Sequence, residues 1–181
     1  MWTINSLKKN LIKNPCALED FKYWTIDENG GDKWRIEDLP GGFGELFPNP
    51  SVSKYFVTSY RPCKKSQIID LKNEGFSAEI MDEAQPAIII TDWYASRKDC
   101  SCQYELLVRL LSADKKSIQE FRPQPVNLPG GDGQWHYVTH TFSNYGPGVR
   151  YISFQHGGKD TKGWAGWYGV RVTNSSVSID I

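Results

Sequence analysis

The most unusual stretch of the sequence is residues 160–169, DTKGWAGWYG, which sets large aromatic residues among small, flexible ones. Gly163 and Ala165 give the indole ring of Trp164 little bulk to pack against, and such turn residues indicate a loop between two strands. An exposed indole is a flat apolar plate that is costly to leave uncovered. The flat C–H face of a pyranose ring fits such a plate, so Trp164 is a candidate sugar-stacking residue.

Residues of metal-binding type are present, but their spacing does not favour a metal. His136 and His140 have the spacing HxxxH, yet they lie in a strand-like pattern that separates them by about 13 Å, too far to share one zinc ion. Cys100 and Cys102 have the spacing CxC without a second pair at the spacing of a zinc ribbon. We therefore expect no metal, and we expect the four cysteines to be free thiols.

The sequence also gives little support for a catalytic function. Asp92 and Asp160 are one conceivable carboxylate pair for glycoside hydrolysis, but a chain with 21 acidic residues offers many such pairs. The sequence contains neither a GxSxG motif, nor a Walker loop, nor GxGxxG. A non-catalytic protein without a cofactor is therefore expected.

The charge balance points to a neutral partner. Twenty-one basic residues match twenty-one acidic ones, so no global field attracts nucleic acid or anionic lipid. No apolar run approaches the roughly 18 residues of a membrane span, and the first residues, MWTINSLKKN, lack the apolar core of a signal peptide. We expect a cytoplasmic protein that binds neither nucleic acid nor membrane.

Strand patterns dominate the chain, above all after Pro86. In YELLVRLL, for example, one face of a strand would carry Tyr104, Leu106, Val108 and Leu110. Many short strands without long intervening helices predict an all-β protein, an antiparallel sandwich or jelly roll. The length of 181 residues suits a single domain.

Helical spacing occurs in two places. Residues 2–12 predict a short helix or linker arm that ends at Asn14 and Pro15, and residues 66–84 predict two turns or short helices broken at Gly75. Trp167 and Tyr168 are predicted to begin a strand, in the core or at its rim.

Several longer phrases resemble one known family. NLIKNPCALEDFKYW, NGGDKWRIEDLPG, KYFVTSY, SQIIDL, QPAIIITDWYASR, YGPGVRYISFQHGGKDT and WAGWYGVRVTNSSV are similar to the F-box-associated domain of the sugar-recognising F-box proteins. The resemblance covers about residues 9–181, which leaves 1–12 as an N-terminal linker or helix and 13–181 as the domain. It implies a ten-stranded antiparallel β-sandwich with two short helices.

The resemblance also implies the positions of a glycan-binding site. The aromatic residue of a first loop falls on Phe56, and the tripeptide of a second loop falls on Gly163, Trp164 and Ala165. Strong sugar binders of the family resemble Tyr-Trp-Lys at this tripeptide. Gly163 therefore removes an aromatic ring and Ala165 a long polar arm, a loss of about 1 kcal/mol or more that weakens binding roughly tenfold.

The function implied by this resemblance is recognition of the inner chitobiose of high-mannose N-glycans on misfolded glycoproteins. In the family, this recognition selects substrates for an SCF-type ubiquitin ligase in ER-associated degradation. The ligase scaffold is recruited by an F-box, and only about ten residues precede the resembling segment. Either a domain cut from a longer protein or a protein without an F-box is expected. The alternative function is a protein-interaction domain whose glycan binding is weakened or lost.

Overall fold

The computed structural model describes residues 8–181, whose regular structure is almost entirely β-strand. The strands are β1 (Thr25–Asn29), β2 (Arg35–Asp38), β3 (Lys54–Val57), β4 (Cys63–Asp70), β5 (Ala87–Ala95), β6 (Cys102–Leu111), β7 (Ser117–Phe121), β8 (Val126–Leu128), β9 (His136–Phe142), β10 (Tyr151–Asp160) and β11 (Arg171–Asp180). One short helical segment, Ile80–Ala84, lies in this part of the chain. The prediction of an all-β fold is confirmed, with eleven strands here where the family resemblance implied ten.

The strands form two antiparallel sheets that pack as a sandwich. Sheet A has the order β1-β4-β10-β6-β7, with the short strand β8 also beside β6. Sheet B has the order β2-β3-β11-β5-β9. Neighbours in each sheet are mostly far apart in sequence, so the loops at each end of the sandwich bring distant parts of the chain together. No helix in the described residues has the length and apolar character required to cross a membrane.

The interior is built from alternating strand residues, as β6 illustrates. The side chains of Tyr104, Leu106, Val108 and Leu110 are all buried in the core between the sheets, as the sequence pattern predicts. Glu105, Leu107 and Arg109, on the opposite face of β6, are more exposed. Burying one such side chain contributes about 1.5–3 kcal/mol, so this face of β6 is a main source of stability.

The helical predictions are only partly correct. Residues 66–70 belong to β4, which pairs with both β1 and β10, and this pairing outweighs their helical spacing. The first part of the predicted N-terminal helix, residues 2–7, lies outside the described residues. Leu11 and Ile12, predicted to lie in a linker, are instead buried in the core, and the Leu11 N–H donates to the Val177 carbonyl at 2.8 Å.

A chain of polar side chains crosses the core between the two sheets. We call Lys65, Asp92, Tyr104, His156 and Ser175 the core polar network. Nζ of Lys65 lies 2.8 Å from Nε2 of His156, and Nδ1 of His156 lies 2.6 Å from Oδ2 of Asp92. The hydroxyls of Tyr104 and Ser175 donate to the two oxygens of Asp92 at 2.5 and 2.7 Å. The network thus gives the Asp92 carboxylate hydrogen-bond partners within the interior.

Aromatic rings enclose the ammonium group of Lys65. Its Nζ lies 3.1 Å from the ring centre of Trp24 and 3.8 Å from that of Phe56, distances typical of cation–π contact. Burial lowers the pKa of Lys65 well below its ordinary value, and the negative charge of Asp92 opposes this shift. Burial likewise lowers the pKa of His156. The imidazole is therefore neutral at pH 7, donating from Nδ1 to Asp92 and accepting at Nε2 from Lys65.

Candidate functional site

Phe56, the residue expected to supply an aromatic ring from a first loop, does not lie at the surface. It is part of β3 and its side chain is 0% exposed. Its ring centre lies 5.5 Å from that of Phe21 and 5.9 Å from that of Trp24, with Lys65 close by. A ring enclosed in this way cannot stack on a ligand. The prediction that Phe56 contacts sugar is wrong, because the alternation of β3 turns this side chain into the core.

The two acidic residues considered for hydrolysis do not face a common cleft. Asp92 is fully buried in the core polar network. Asp160 is 1% exposed, and its carboxylate is engaged by backbone N–H groups. A glycosidase needs two carboxyl groups that can reach the same glycosidic bond, so this pair does not support hydrolysis.

The histidine and cysteine pairs do not form a metal site either. Among residues 8–181, no group of three or more His, Cys, Asp or Glu side chains is placed to hold a metal ion. All four cysteines are free, as predicted. Burial raises the pKa of Cys100 to about 11 and that of Cys102 to about 12, so both thiols stay protonated at neutral pH and are poor nucleophiles.

The loop that carries Trp164 connects β10 to β11 and is anchored at its start by Asp160. Oδ1 of Asp160 accepts hydrogen bonds from the N–H groups of Lys162 at 2.9 Å and Gly163 at 2.6 Å. The Asp160 N–H donates to the carbonyl of Ser59, in the connection between β3 and β4, at 3.0 Å. The loop therefore leaves the sheet in a fixed direction.

The loop is anchored a second time by the connection between β1 and β2. Oδ2 of Asp32 accepts a hydrogen bond from the Gly166 N–H at 2.6 Å, and Nε1 of Trp167 donates to the Lys33 carbonyl at 3.1 Å. The guanidinium of Arg35 lies 4.4 Å from the ring centre of Trp167. Trp167 therefore serves as an anchor at the rim of the sandwich. It precedes β11, which begins at Arg171, so the prediction that Trp167 begins the strand is wrong.

Trp164 lies between these anchors and keeps 44% of its surface exposed. Its flanking residues Gly163 and Ala165 are exposed as well. A Cβ atom added at Gly163 would meet no described atom within 4 Å, so the space beside the indole is open. The three residues of the predicted second loop therefore form one accessible surface, with the indole as its main apolar element.

Two tyrosines that the sequence analysis did not include in the site lie at the same end of the sandwich. The Tyr168 ring meets the Trp164 ring edge to face, with centres 5.4 Å apart. Tyr60, in the connection between β3 and β4, lies so close to Gly31 that a Cβ added to that glycine would be 3.1 Å from the ring. Gly31 is adjacent to Asp32, the anchor of the Trp164 loop. The spacing WxxxY could have suggested that Tyr168 lies near Trp164. Tyr60 is far from Trp164 in sequence, and only the fold brings it to this end of the sandwich.

The model of the family described as "F-box associated region" matches residues 2–179. F-box only protein 6 from Bos taurus is 58% identical over 175 residues, which cover 96% of this chain and 66% of that protein. F-box only protein 44 from Homo sapiens is 54% identical over 177 residues, covering 97% of this chain and 69% of that protein. The chain thus spans about two thirds of the length of these relatives.

Among solved structures, the fold is similar to that of TmCBM61 in complex with β-1,4-galactotriose. The TM-score is 0.55 at 13% sequence identity, and the match covers 93% of this chain and 97% of TmCBM61. At this identity the similarity shows a common β-sandwich architecture and nothing about the ligand of this chain.

Proposed function

Because this chain belongs to the F-box associated family, we propose that it is a non-catalytic carbohydrate-binding domain whose ligand is the inner chitobiose of high-mannose N-glycans. The observation that carries this proposal is the half-exposed indole of Trp164 on a loop anchored at both ends. Phe56 has no part in the site, and Tyr60 is the aromatic residue of the first loop that we propose in its place.

The anchored loop suits recognition of a weakly interacting neutral ligand. Ordering a loop on binding costs free energy, and the hydrogen bonds that the carboxylates of Asp160 and Asp32 accept from backbone N–H groups order this loop in advance. The apolar face of a sugar ring would cover the indole, while its hydroxyl groups would meet the polar residues around the loop. The formal net charge of zero agrees with a neutral ligand.

Gly163 and Ala165 weaken the site without closing it. Neither residue offers a second ring or a polar arm to the sugar, so affinity depends mainly on Trp164. We propose that binding is roughly tenfold weaker than in a domain with an aromatic ring beside the indole.

The proposed cellular role follows from where chitobiose is found. The inner sugars of an N-glycan lie against the surface of a folded glycoprotein and become accessible when that protein unfolds. We propose that the domain is the substrate-recognition part of an SCF-type ubiquitin ligase, acting in the cytoplasm on glycoproteins returned from the endoplasmic reticulum. Two similar proteins are F-box only proteins, which supports this role. An F-box outside this sequence would recruit the ligase scaffold.

Calorimetric titration with chitobiose and with the trimannosyl chitobiose core tests the sugar proposal. Trp164→Ala should abolish the binding heat while its thermal midpoint stays within a degree or two of wild type, since surface changes usually alter stability by less than about 0.5 kcal/mol. Tyr23→Ala is the matched control, because Tyr23 is an aromatic residue of similar exposure, 50%, outside the site. Absence of binding by the wild type at millimolar sugar would rule the proposal out.

A second candidate function is a protein-interaction domain that no longer binds glycan. The small side chains beside Trp164 are the observation that favours it, since they remove two potential sugar contacts. Capture of the same partner proteins before and after enzymatic removal of their N-glycans would support this function. Loss of capture after deglycosylation would support the carbohydrate-binding function instead.

A further inference from the structure

The aromatic surface of the site continues beyond Trp164 in one direction. The Arg97 guanidinium lies 4.5 Å from the ring centre of Tyr168 and 5.2 Å from that of Phe43. We call Trp164, Tyr168, Arg97 and Phe43 the aromatic row. Adjacent members are separated by 4.5–5.4 Å, and Phe43 at its far end is 61% exposed.

Phe43 is held in this exposed position at a conformational cost. Its backbone φ is +50°, in the left-handed region that bulky residues rarely adopt. The buried guanidinium of Arg171 donates to the carbonyls of Pro40 and Gly42, and the Phe43 carbonyl accepts from the Lys98 N–H at 2.8 Å. The surrounding structure therefore fixes a strained backbone that presents an apolar ring to solvent.

The two ends of the aromatic row differ in chemistry. Around Trp164, polar groups such as the exposed Lys162 side chain and the Ser101–Thr161 hydroxyl pair can meet sugar hydroxyls. Around Phe43, Arg97 donates through Nε and Nη2 to both oxygens of Asp99 at 2.8 and 3.0 Å, so the charges of this pair cancel. The residues next to Phe43 in sequence are Gly42 and Gly44, which contribute no polar side chain. The Phe43 end suits an apolar group better than a sugar.

We propose that Phe43 and Arg97 form a second subsite that binds an apolar side chain of the polypeptide next to the glycosylated asparagine. The inference rests on the proposed function, because it places the sugar at Trp164. One residue of extended chain advances about 3.3–3.6 Å, so side chains a few residues from the asparagine can reach Phe43. Unfolding of a glycoprotein exposes both its inner sugars and its apolar side chains, and the aromatic row would recognise the two together.

Two synthetic glycopeptides test this subsite by calorimetry. Both carry chitobiose on a central asparagine; one has phenylalanine two residues away on each side, and the other has serine at those positions. The wild type should bind the phenylalanine peptide about tenfold more tightly than the serine peptide, the gain expected from one aromatic contact. Phe43→Asn should remove this preference and leave the affinity for free chitobiose unchanged, since asparagine tolerates a positive φ.

Leu46→Ala is the matched control, because Leu46 belongs to the same segment and is 71% exposed, and it should keep the preference. Equal affinity of the wild type for the two glycopeptides, with chitobiose still bound, would overturn the second subsite and leave the sugar site standing. Failure to bind chitobiose would overturn the proposed function and this inference with it. An intact preference in Phe43→Asn would place the apolar contact elsewhere and would also overturn the proposal.

Discussion

The carboxylate of Asp32 and the backbone N–H of Gly166 meet at 2.6 Å, which joins two loops that are 134 residues apart in sequence. Asp32 lies between β1 and β2, whereas Gly166 follows Trp164 in the connection from β10 to β11. The bond closes the Trp164 loop at the side opposite Asp160. It therefore links the orientation of the indole to a residue that is not expected to touch the ligand.

Asp32→Ala should weaken chitobiose binding by about two- to tenfold, because the loop must then be ordered at the moment of binding. Calorimetry measures the affinity, and amide hydrogen exchange at Gly166 should become faster. Asp32→Asn keeps an acceptor oxygen and should retain most of the affinity. Unchanged exchange at Gly166 in Asp32→Ala would show that the loop does not depend on this bond.

Ala165→Lys should raise the affinity for chitobiose by about two- to tenfold, the contribution of one hydrogen bond to a sugar hydroxyl. Gly163→Tyr should give a smaller gain, even though the space beside Gly163 is open. The reason is its backbone φ of +70°, which strains any residue with a bulky side chain. Parallel titrations of the two variants compare these effects, and a larger gain for Gly163→Tyr would contradict this explanation.

The sequence was sufficient to predict the β-sandwich and the exposure of Trp164, because both depend on local patterns. The alternation in β6 and the small neighbours of Trp164 are visible without knowledge of distant contacts. Phe56 was assigned wrongly because the family resemblance placed the aromatic residue of a loop at a position that lies in strand β3, where its side chain is buried. In β3 both faces are buried, and Tyr55 on the outer face is also 0% exposed, with its hydroxyl bonded to Glu37.

The anchors of the site and the core polar network could not be predicted for a different reason. Asp32 and Gly166 are brought together by the arrangement of the strands that their loops connect. Lys65 and Asp92 are brought together by the packing of the two sheets, to which their strands separately belong. The phrase CKKSQIID contains two adjacent lysines, and sequence alone does not distinguish the buried Lys65 from the partly exposed Lys64. Phe43 likewise lies in a segment whose only sequence signal is a cluster of glycines.

Phe56→Ala and Trp164→Ala should separate stability from binding. Phe56→Ala should lower the free energy of unfolding by about 3–5 kcal/mol, the usual cost of removing a buried aromatic side chain. Trp164→Ala should change it by less than about 0.5 kcal/mol. Denaturant unfolding monitored by fluorescence and circular dichroism provides both values. The milder variant Phe56→Leu should remain folded and bind chitobiose with wild-type affinity. Loss of binding without loss of stability in this variant would show that Phe56 contributes to the binding site.

Stability should fall as the pH is lowered from about 7 to 5, because of His156. Burial lowers the pKa of His156 below its ordinary value of 6.5, so the folded protein keeps this ring neutral where the unfolded chain takes up a proton. Below pH 6.5 the unfolded state therefore binds more protons, and the free energy of unfolding decreases with a slope of at most about 1.4 kcal/mol per pH unit for one histidine. Acidic groups with lowered pKa values, such as Asp82 at about 2, act in a lower pH window.

His140 needs a control because burial lowers its pKa as well. Urea unfolding of the wild type and of His140→Gln, at intervals between pH 7.5 and 5, separates the two histidines. The variant should keep most of the decline, since the His156 ring is buried in the core, where loss of solvation disfavours its charged form. A stability that does not change with pH in His140→Gln would mean that His156 takes up its proton as readily in the folded protein as in the unfolded chain. That result would contradict the prediction.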